Sequence, residues 1–476
     1  MSKHLLIPVA AAVVIGIALR FVVNLEPVWW LAWFAPGLLL ALALRTEGWT
    51  SRGLVALAAL IGVTANVPYF LKVMPLLPMI LVMTLQTLLW LFVVGMTRRV
   101  VRAFDSAWTV LAYPVIWVAV DTLLAHFTPD GNWGSLAYTQ ADVLPIAQLA
   151  SVFGVGGVLF VLMLMNSALA LAIHRGVRMP GALPAYSAAV AVFVATACFG
   201  WWRLQTPATG KPVNFGIVAI DDFLSGLASD RAREVFLQYG AQVTALAAGG
   251  ATIVLLPEKI GVLPAADAEV VKAHLGRLAA SNHVWLVAGL GVDTGNERRN
   301  EAWWFAPDGH LATNYLKHFM APPEREFVSG TEYPVNAIDG VNYGVAICKD
   351  MHFASLGRGF AAREAAVMLV PAWDFHDDAW MAANMTKLRG VENGYTVVRS
   401  ARDGLLSVSD PYGRMLTVAK SSAYPGTSLF APASVGPQIR TIYTRIGDAL
   451  GWLCVAGMLA LIAALLVRRR RGVGGA

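Results

Sequence analysis

Apolar residues fill long runs in the first part of the chain, and polar residues return only in the short stretches between them. A helix needs about 20 apolar residues to cross the hydrocarbon core of a bilayer. The pattern predicts spans near 4–23, 28–45, 52–72, 76–97, 107–126, 154–173 and 183–202, with an eighth near 447–467. From about 206 to 440 charge returns and the apolar runs shorten. Phe215–Ile220, Ile253–Leu256, Val284–Ala288, Val341–Ile347, Val367–Val370 and Thr396–Arg399 read as core strands. Asp230–Ala247, with Ser229 as its N-cap, and Ala266–Ser281 read as helices between them. Strands alternating with helices predict an α/β domain with a covered sheet. The expected organisation is therefore 1–205 as seven transmembrane helices, 206–440 as an inserted domain, and 441–476 as an eighth helix with an arginine tail.

Composition agrees with a membrane protein. The chain is 57% hydrophobic and 14% charged, where a soluble domain carries about 25% charged residues. The net charge of +6 is no nucleic-acid signal. Four of the basic residues are the run Arg468–Arg471, which reads as a membrane-flanking anchor. Arg45 and Arg52 flank one loop, Arg98, Arg99 and Arg102 fill another, and Arg175 and Arg178 a third. The intervening loops hold Glu26, then Lys72, then Asp130 and Asp142. The positive-inside rule places the arginine loops and both termini in the cytoplasm and the inserted domain outside. The apolar stretch after Lys3 runs too long for a cleavable signal and lacks a small-residue cleavage site. Asp121, inside an apolar segment, is expected to face protein or a water-filled cavity. Trp133 and Tyr138 read as interfacial anchors. The cysteines, Cys198, Cys348 and Cys454, form no disulfide framework or zinc spacing.

Three positions at or after strand ends carry chemistry. Ile253-Val254-Leu255-Leu256-Pro257-Glu258 ends in a carboxylate, Asn314-Tyr315-Leu316-Lys317 in a lysine, and Val345-Ala346-Ile347-Cys348 in a thiol. A cysteine nucleophile needs a base, which Glu258 supplies in this reading. A tetrahedral oxyanion needs positive charge or donors, for which Lys317 and the backbone N–H of Lys349 are the candidates. A lone cysteine is more often structural than catalytic; the conjunction with a carboxylate and a lysine changes that balance.

These residues resemble the Glu–Lys–Cys triad of the nitrilase superfamily. In the membrane half, Leu136-Ala137-Tyr138-Thr139-Gln140, Gln148-Leu149-Ala150, Phe153-Gly154-Val155-Gly156-Gly157 and Asn166 resemble the region before and within the sixth span of apolipoprotein N-acyltransferases. Met385–Glu392 (with Arg389 and Glu392) and Asp410-Pro411-Tyr412-Gly413-Arg414 resemble later motifs of that family. The resemblance implies an α-helical polytopic membrane domain carrying a nitrilase-like αββα sandwich on the periplasmic side of a bacterial inner membrane. It implies that Cys348 takes an acyl chain from a phospholipid as a thioester and passes it to the N-terminal amine of a diacylglyceryl-cysteine apolipoprotein, in a monomer, with no metal or nucleotide. Glu258 would act as base and acid in turn.

The sequence also departs from the family. Lys349-Asp350 follows the cysteine where the acyltransferases show Tyr-Glu, and Leu256 stands where an aromatic precedes Pro-Glu. The loop after the lysine reads Pro322-Pro323-Glu324-Arg325-Glu326-Phe327, so either Glu326 or Glu324 takes the place of the loop glutamate. Asp350 is either a site residue or a cap of the following helix. Two other readings stay open at this level. One is a membrane-tethered amidase, or an acyltransferase for another amine; the other is a non-catalytic lipid-binding scaffold.

Overall fold

The computed structural model describes residues 3–176, 180–207, 209–227 and 229–473, which leaves Arg178 outside the described residues. The chain divides into two compact units, Met1–Leu204 with Ile446–Ala476, and Gln205–Arg445.

Among the described residues, the first unit has 7 helices long and apolar enough to cross a membrane: Leu5–Val22, Gly48–Val73, Leu76–Ala103, Ala107–Phe127, Ala150–Arg175, Ala182–Leu204 and Ala449–Arg471. The span expected at 28–45 is a shorter apolar helix, Trp29–Arg45. It consists of a 3-10 turn, Trp29–Trp33, followed by an α-helix, Ala35–Arg45. The break falls at Phe34, whose φ of −127° is not helical, just before Pro36 starts the α-helix. Broken backbone at membrane depth must find partners inside the protein. Two amides supply them. The Gln140 side chain donates to the Trp29 carbonyl (3.0 Å) and accepts from the Trp33 indole (2.9 Å). The Asn166 amide donates to the Ala32 carbonyl (2.9 Å) and accepts from the Gly37 N–H (2.7 Å). A Cβ at Gly37 would lie 2.6 Å from the Asn166 carbonyl oxygen, so only glycine permits this approach.

Tyr138 is not an interfacial anchor. It is fully buried, and its hydroxyl donates to Asn132 (2.8 Å). Trp133 stacks on Tyr69 with ring centroids 5.5 Å apart. At the arginine-rich end, Arg98 and Arg102 donate to carbonyls of Ala43, Leu44 and Thr46, Arg45 to Ile173, and Arg175 to Val101. These guanidiniums satisfy the orphan carbonyls that every helix leaves at its C-terminus.

The second unit is a sandwich of two sheets. Strands β1 (Lys211–Ala219), β2 (Ile253–Leu255), β3 (Val262–Pro264), β4 (Trp285–Asp293), β5 (Arg298–Phe305) and β6 (Leu311–Leu316) belong to the first sheet. Strands β7 (Val335–Ile338), β8 (Val341–Val345), β9 (Val367–Trp373), β10 (Thr396–Arg402), β11 (Leu405–Ser409) and β12 (Met415–Lys420) form the second, and β13 (Thr427–Val435) returns to the first. The first sheet runs β13-β1-β2-β4-β5-β6, with β3 beside β4, and the second runs β12-β11-β10-β9-β8-β7.

Strand alternation builds the layers. Phe215, Ile217, Ile253, Leu255, Val287 and Trp304 face the second sheet and pack with Val345, Leu369 and Val398. Their neighbours Val218, Val254, Leu286, Ala288 and Trp303 face outward against the helices Asp230–Ala248 and Ala265–Asn282. Ser229 caps the first of these helices by accepting from the Ala232 N–H. On the other side, Ala354–Ala361 and Ala379–Asn393 cover the second sheet. The result is a helix–sheet–sheet–helix sandwich. Strands β1, β2 and β4 run parallel to one another, as do β8, β9 and β10. Their C-terminal ends open where loops, rather than ladders, set the side chains.

Candidate active site

Pro257 and Glu258 turn away from the end of β2 over β4. The Glu258 N–H donates to the Ala372 carbonyl (3.2 Å), and the Pro257 carbonyl accepts from Gly289 (3.1 Å). A Cβ on Gly289 would lie 2.6 Å from the Glu258 Cα, so a glycine at this point of β4 makes the turn possible. Lys317 leaves β6 with its N–H on the Asn300 carbonyl (2.9 Å) and its own carbonyl accepting from Gly330 (2.8 Å). Backbone bonds on both sides thus fix the two side chains before they meet.

They meet in a buried charged cluster. The Lys317 ammonium donates to Glu258 (2.7 Å) and to Glu324 (2.7 Å). Asn300 bridges the two carboxylates, donating to Glu258 (2.6 Å) and Glu324 (2.8 Å). Glu324 also caps its own 3-10 turn, Pro322–Glu324, through the Ala321 N–H (3.0 Å). The alternative residue, Glu326, is not part of the cluster. Its side chain is 82% exposed and pairs with Arg298 at 3.3 Å, whereas the Glu324 side chain is 3% exposed. The prolines Pro322 and Pro323 set the turn so that the first glutamate, not the second, points inward.

Strand β8 ends at Val345, earlier than expected, and Cys348 opens a 3-10 turn, Cys348–His352. Cys348 has φ of +46°, a left-handed conformation that costs a non-glycine residue energy and that clusters at functional sites. Its thiol donates to the Trp373 carbonyl (3.5 Å) at the end of β9. Asp350 sits inside the same turn and holds it to the lysine segment. One oxygen accepts from the Tyr315 hydroxyl (2.7 Å) and the Ile347 N–H (2.9 Å), the other from the N–H groups of His318 (3.1 Å) and Phe319 (2.9 Å). It therefore joins the cysteine turn to the lysine segment rather than capping the next helix. The Lys349 side chain turns to the Met320 carbonyl (3.0 Å) and binds the same two segments together. Behind the turn, Arg389 donates to the Met351 carbonyl (3.2 Å) and pairs with Glu392, both fully buried.

Electrostatics assigns resting states. Burial, reinforced by the Glu258 charge, holds the Cys348 thiol well above the ordinary range, against the pull of Lys317. The resting residue is a neutral thiol. Burial works to lower Lys317, but Glu258 and Glu324 outweigh it and keep the ammonium charged well above its usual range. Glu324 is depressed below the ordinary carboxylate range, because Lys317 and Lys259 overcome its burial. Burial and the nearby Lys349 push His352 well below the usual imidazole value, so it stays neutral at neutral pH.

Sequence reasoning missed several partners. Lys259, the residue after Glu258, pairs with Glu324, and its ammonium lies 4.8 Å from the Trp373 ring centroid. Asn300, a polar residue leading into the apolar run of β5, was a visible but unused signal. The Asp374–Arg399 pair, both members 1% exposed, joins the end of β9 to β10 and had no local signature.

A carboxylate, a lysine, a second carboxylate and a cysteine thus lie together at the strand ends of a two-sheet sandwich. The carbon-nitrogen hydrolase family model matches residues 228–427. The model of the apolipoprotein N-acyltransferase N-terminal domain matches residues 15–168. The apolipoprotein N-acyltransferase of Geobacter metallireducens is 26% identical, covering 76% of this chain and 74% of its own length. That of Bradyrhizobium diazoefficiens is 25% identical, covering 77% and 74%. Among solved structures, an amidase from Nesterenkonia sp. AN1 overlays with a TM-score of 0.43 at 20% identity, covering 50% of this chain and 95% of that one. The chain belongs to the apolipoprotein N-acyltransferase family, and it is a membrane-bound acyltransferase.

Proposed function

We propose that this enzyme moves an acyl chain from a phospholipid to the α-amine of a diacylglyceryl-cysteine lipoprotein, through a thioester on Cys348. The observation that carries the reading is the buried Glu258–Lys317–Glu324 cluster beside a thiol that rests neutral. Glu258 takes the thiol proton as sulfur attacks the ester carbonyl, and Lys317 balances the oxyanion. The C–O bond breaks as Glu258 returns that proton to the departing lysophospholipid alkoxide. In the second half the amine attacks the thioester, Glu258 accepts the amine proton, and the thiol leaves reprotonated. The ester is already activated and the thioester keeps much of that energy, so no nucleotide enters.

The catalytic domain, 206–440, works on the periplasmic face of a bacterial inner membrane, as a single chain with both termini in the cytoplasm. Supporting this orientation, Arg45, Arg98, Arg102 and Arg175 bond one another's helix ends, and Arg468 stacks on Phe104 beside them, which makes one strongly basic end. Intact-mass spectrometry of the protein incubated with phospholipid, beside Cys348→Ala, tests the first step. A gain of one acyl chain in the wild type alone is expected; absence of an adduct with every headgroup tried sinks the reading. Labelling with substituted-cysteine reagents on each side of the membrane tests the orientation.

A further inference from the structure

The cluster contains one cation more than a glutamate–lysine–cysteine site needs. Lys259 follows the general base, its side chain is 9% exposed, and it pairs with Glu324 on the side away from Lys317. Its backbone is left-handed, with φ of +43°. Its carbonyl accepts from Arg402 (3.2 Å), whose guanidinium stacks 3.8 Å from the centroid of Trp373. The Lys259 ammonium lies over the other aromatic contacts of this corner, 4.8 Å from Trp373 and 5.5 Å from Phe327. A buried ammonium is costly unless paired, and this one is paired with the same carboxylate that holds Lys317.

Charge parity shows how it acts. At rest Glu258 and Glu324 face Lys317 and Lys259, two anions against two cations. When the thiol proton moves to Glu258, that carboxylate becomes neutral and an oxyanion appears. With Lys259 present, Glu324 and the oxyanion again face two cations. Without it, one anion is left over both at rest and once the oxyanion has formed, and Lys317 must be shared between Glu324 and the oxyanion in a site screened from water.

We infer that Lys259 is a positioning residue of the acyl-transfer reaction: it neutralises Glu324 so that the charge of Lys317 is available to the oxyanion. The inference rests on the function proposed above. The charged groups facing Glu324 are Lys317 from the end of β6 and Lys259 from the turn after β2, with Glu258 beyond Lys317 and the neutral Asn300 from β5. Removing Lys259 takes away one of the two cations that depress Glu324, so Glu324 protonates at higher pH and releases Lys317 sooner.

The test follows acyl-adduct formation by intact mass, without acceptor, using the full chain in mixed micelles of stated phosphatidylethanolamine content. Lys259→Met is expected to slow the saturated rate by about 10-fold to 100-fold, the usual range for a residue supporting a site from behind. The half-saturating lipid fraction stays near the wild-type value, because Lys259 reaches the oxyanion only through Glu324 and Lys317. The deficit of Lys259→Met narrows as pH falls, because Glu324 there protonates at higher pH and releases Lys317, and Lys259→Arg restores both the rate and the wild-type pH profile. A deficit that does not narrow with acid, or a loss that Lys259→Arg fails to repair, assigns Lys259 to packing and overturns the inference. The double variant Lys259→Met with Glu324→Gln removes one charge of each sign and is expected to react faster than Lys259→Met alone. If Lys259→Met does not fold, the double variant decides: folding and acylation support the inference, and an unfolded or inert protein removes it. A wild type that forms no adduct sinks the proposed function and this inference together; a reactive wild type with an unaffected Lys259→Met removes only the inference.

Discussion

The two units bury polar groups in opposite ways. In the membrane unit the side chains that mend the broken Trp29–Arg45 helix are neutral amides, Gln140 and Asn166, each both donating and accepting. In the catalytic unit the interior holds charges: Glu258, Lys317, Glu324 and Lys259, then Asp374 with Arg399, and Arg389 with Glu392. A neutral amide mends a donor and an acceptor at once with no ion to desolvate. A buried ion is expensive and remains only when paired. On the proposed function, amides serve the backbone, and ions serve the reaction as well as the fold. Altering the first set should change folding alone, and altering the second should change chemistry along with folding.

The strongest way to break this contrast is Lys317→Met. It leaves two buried carboxylates facing each other and removes the oxyanion's cation, so adduct formation should fall by about 1,000-fold. A loss of less than tenfold would mean the charges are structural after all. Next comes the pair Glu324→Gln and Glu326→Gln. The first should slow acylation by about 10-fold to 100-fold, while the second, exposed on Arg298, should stay within about twofold of wild type.

pH sharpens the same pair. Glu324 is depressed below its unfolded value, so its stabilising contribution is fully present above the ordinary carboxylate value of about 4.3. That contribution is lost as pH falls from there through the native value. Wild type should therefore be more stable than Glu324→Gln at neutral pH, by about 3–5 kcal/mol, the cost of breaking a buried pair. In unfolding experiments the gap should close with acid; a gap that widens with acid would contradict the assignment.

Much of this was legible in the chain. Spans followed from apolar run length, and Glu258, Lys317 and Cys348 stood out because each closes a strand-like run with a carboxylate, an ammonium or a thiol. What run length could not show was the break at Phe34, since a 3-10 turn and a helix have the same apolar content. Tyr138 looked interfacial because its mixed character suits a membrane surface, but its hydroxyl had a buried partner six residues back, in Asn132. Glu324 and Glu326 could not be separated by spacing, because the turn between them is set by backbone angles at two prolines. Lys259 was hidden differently: its partner lies 65 residues away, and only the folded chain brings that carboxylate to it.

The amide side of the comparison yields the smaller effects. Asn166→Ala strands the Ala32 carbonyl and the Gly37 N–H in a fully buried place, and each orphaned group costs about 1–3 kcal/mol. The variant should melt earlier while the protein that remains folded acylates at a rate within about twofold of wild type. Gln140→Leu should cost less, about 1 kcal/mol, because its bonds to Trp29 and Trp33 are only part-buried. The ordering matters more than either value. If Gln140→Leu abolished acylation at unchanged thermal stability, a neutral amide of the membrane unit would be acting on the reaction, and the division between amides for the backbone and ions for the chemistry would fail.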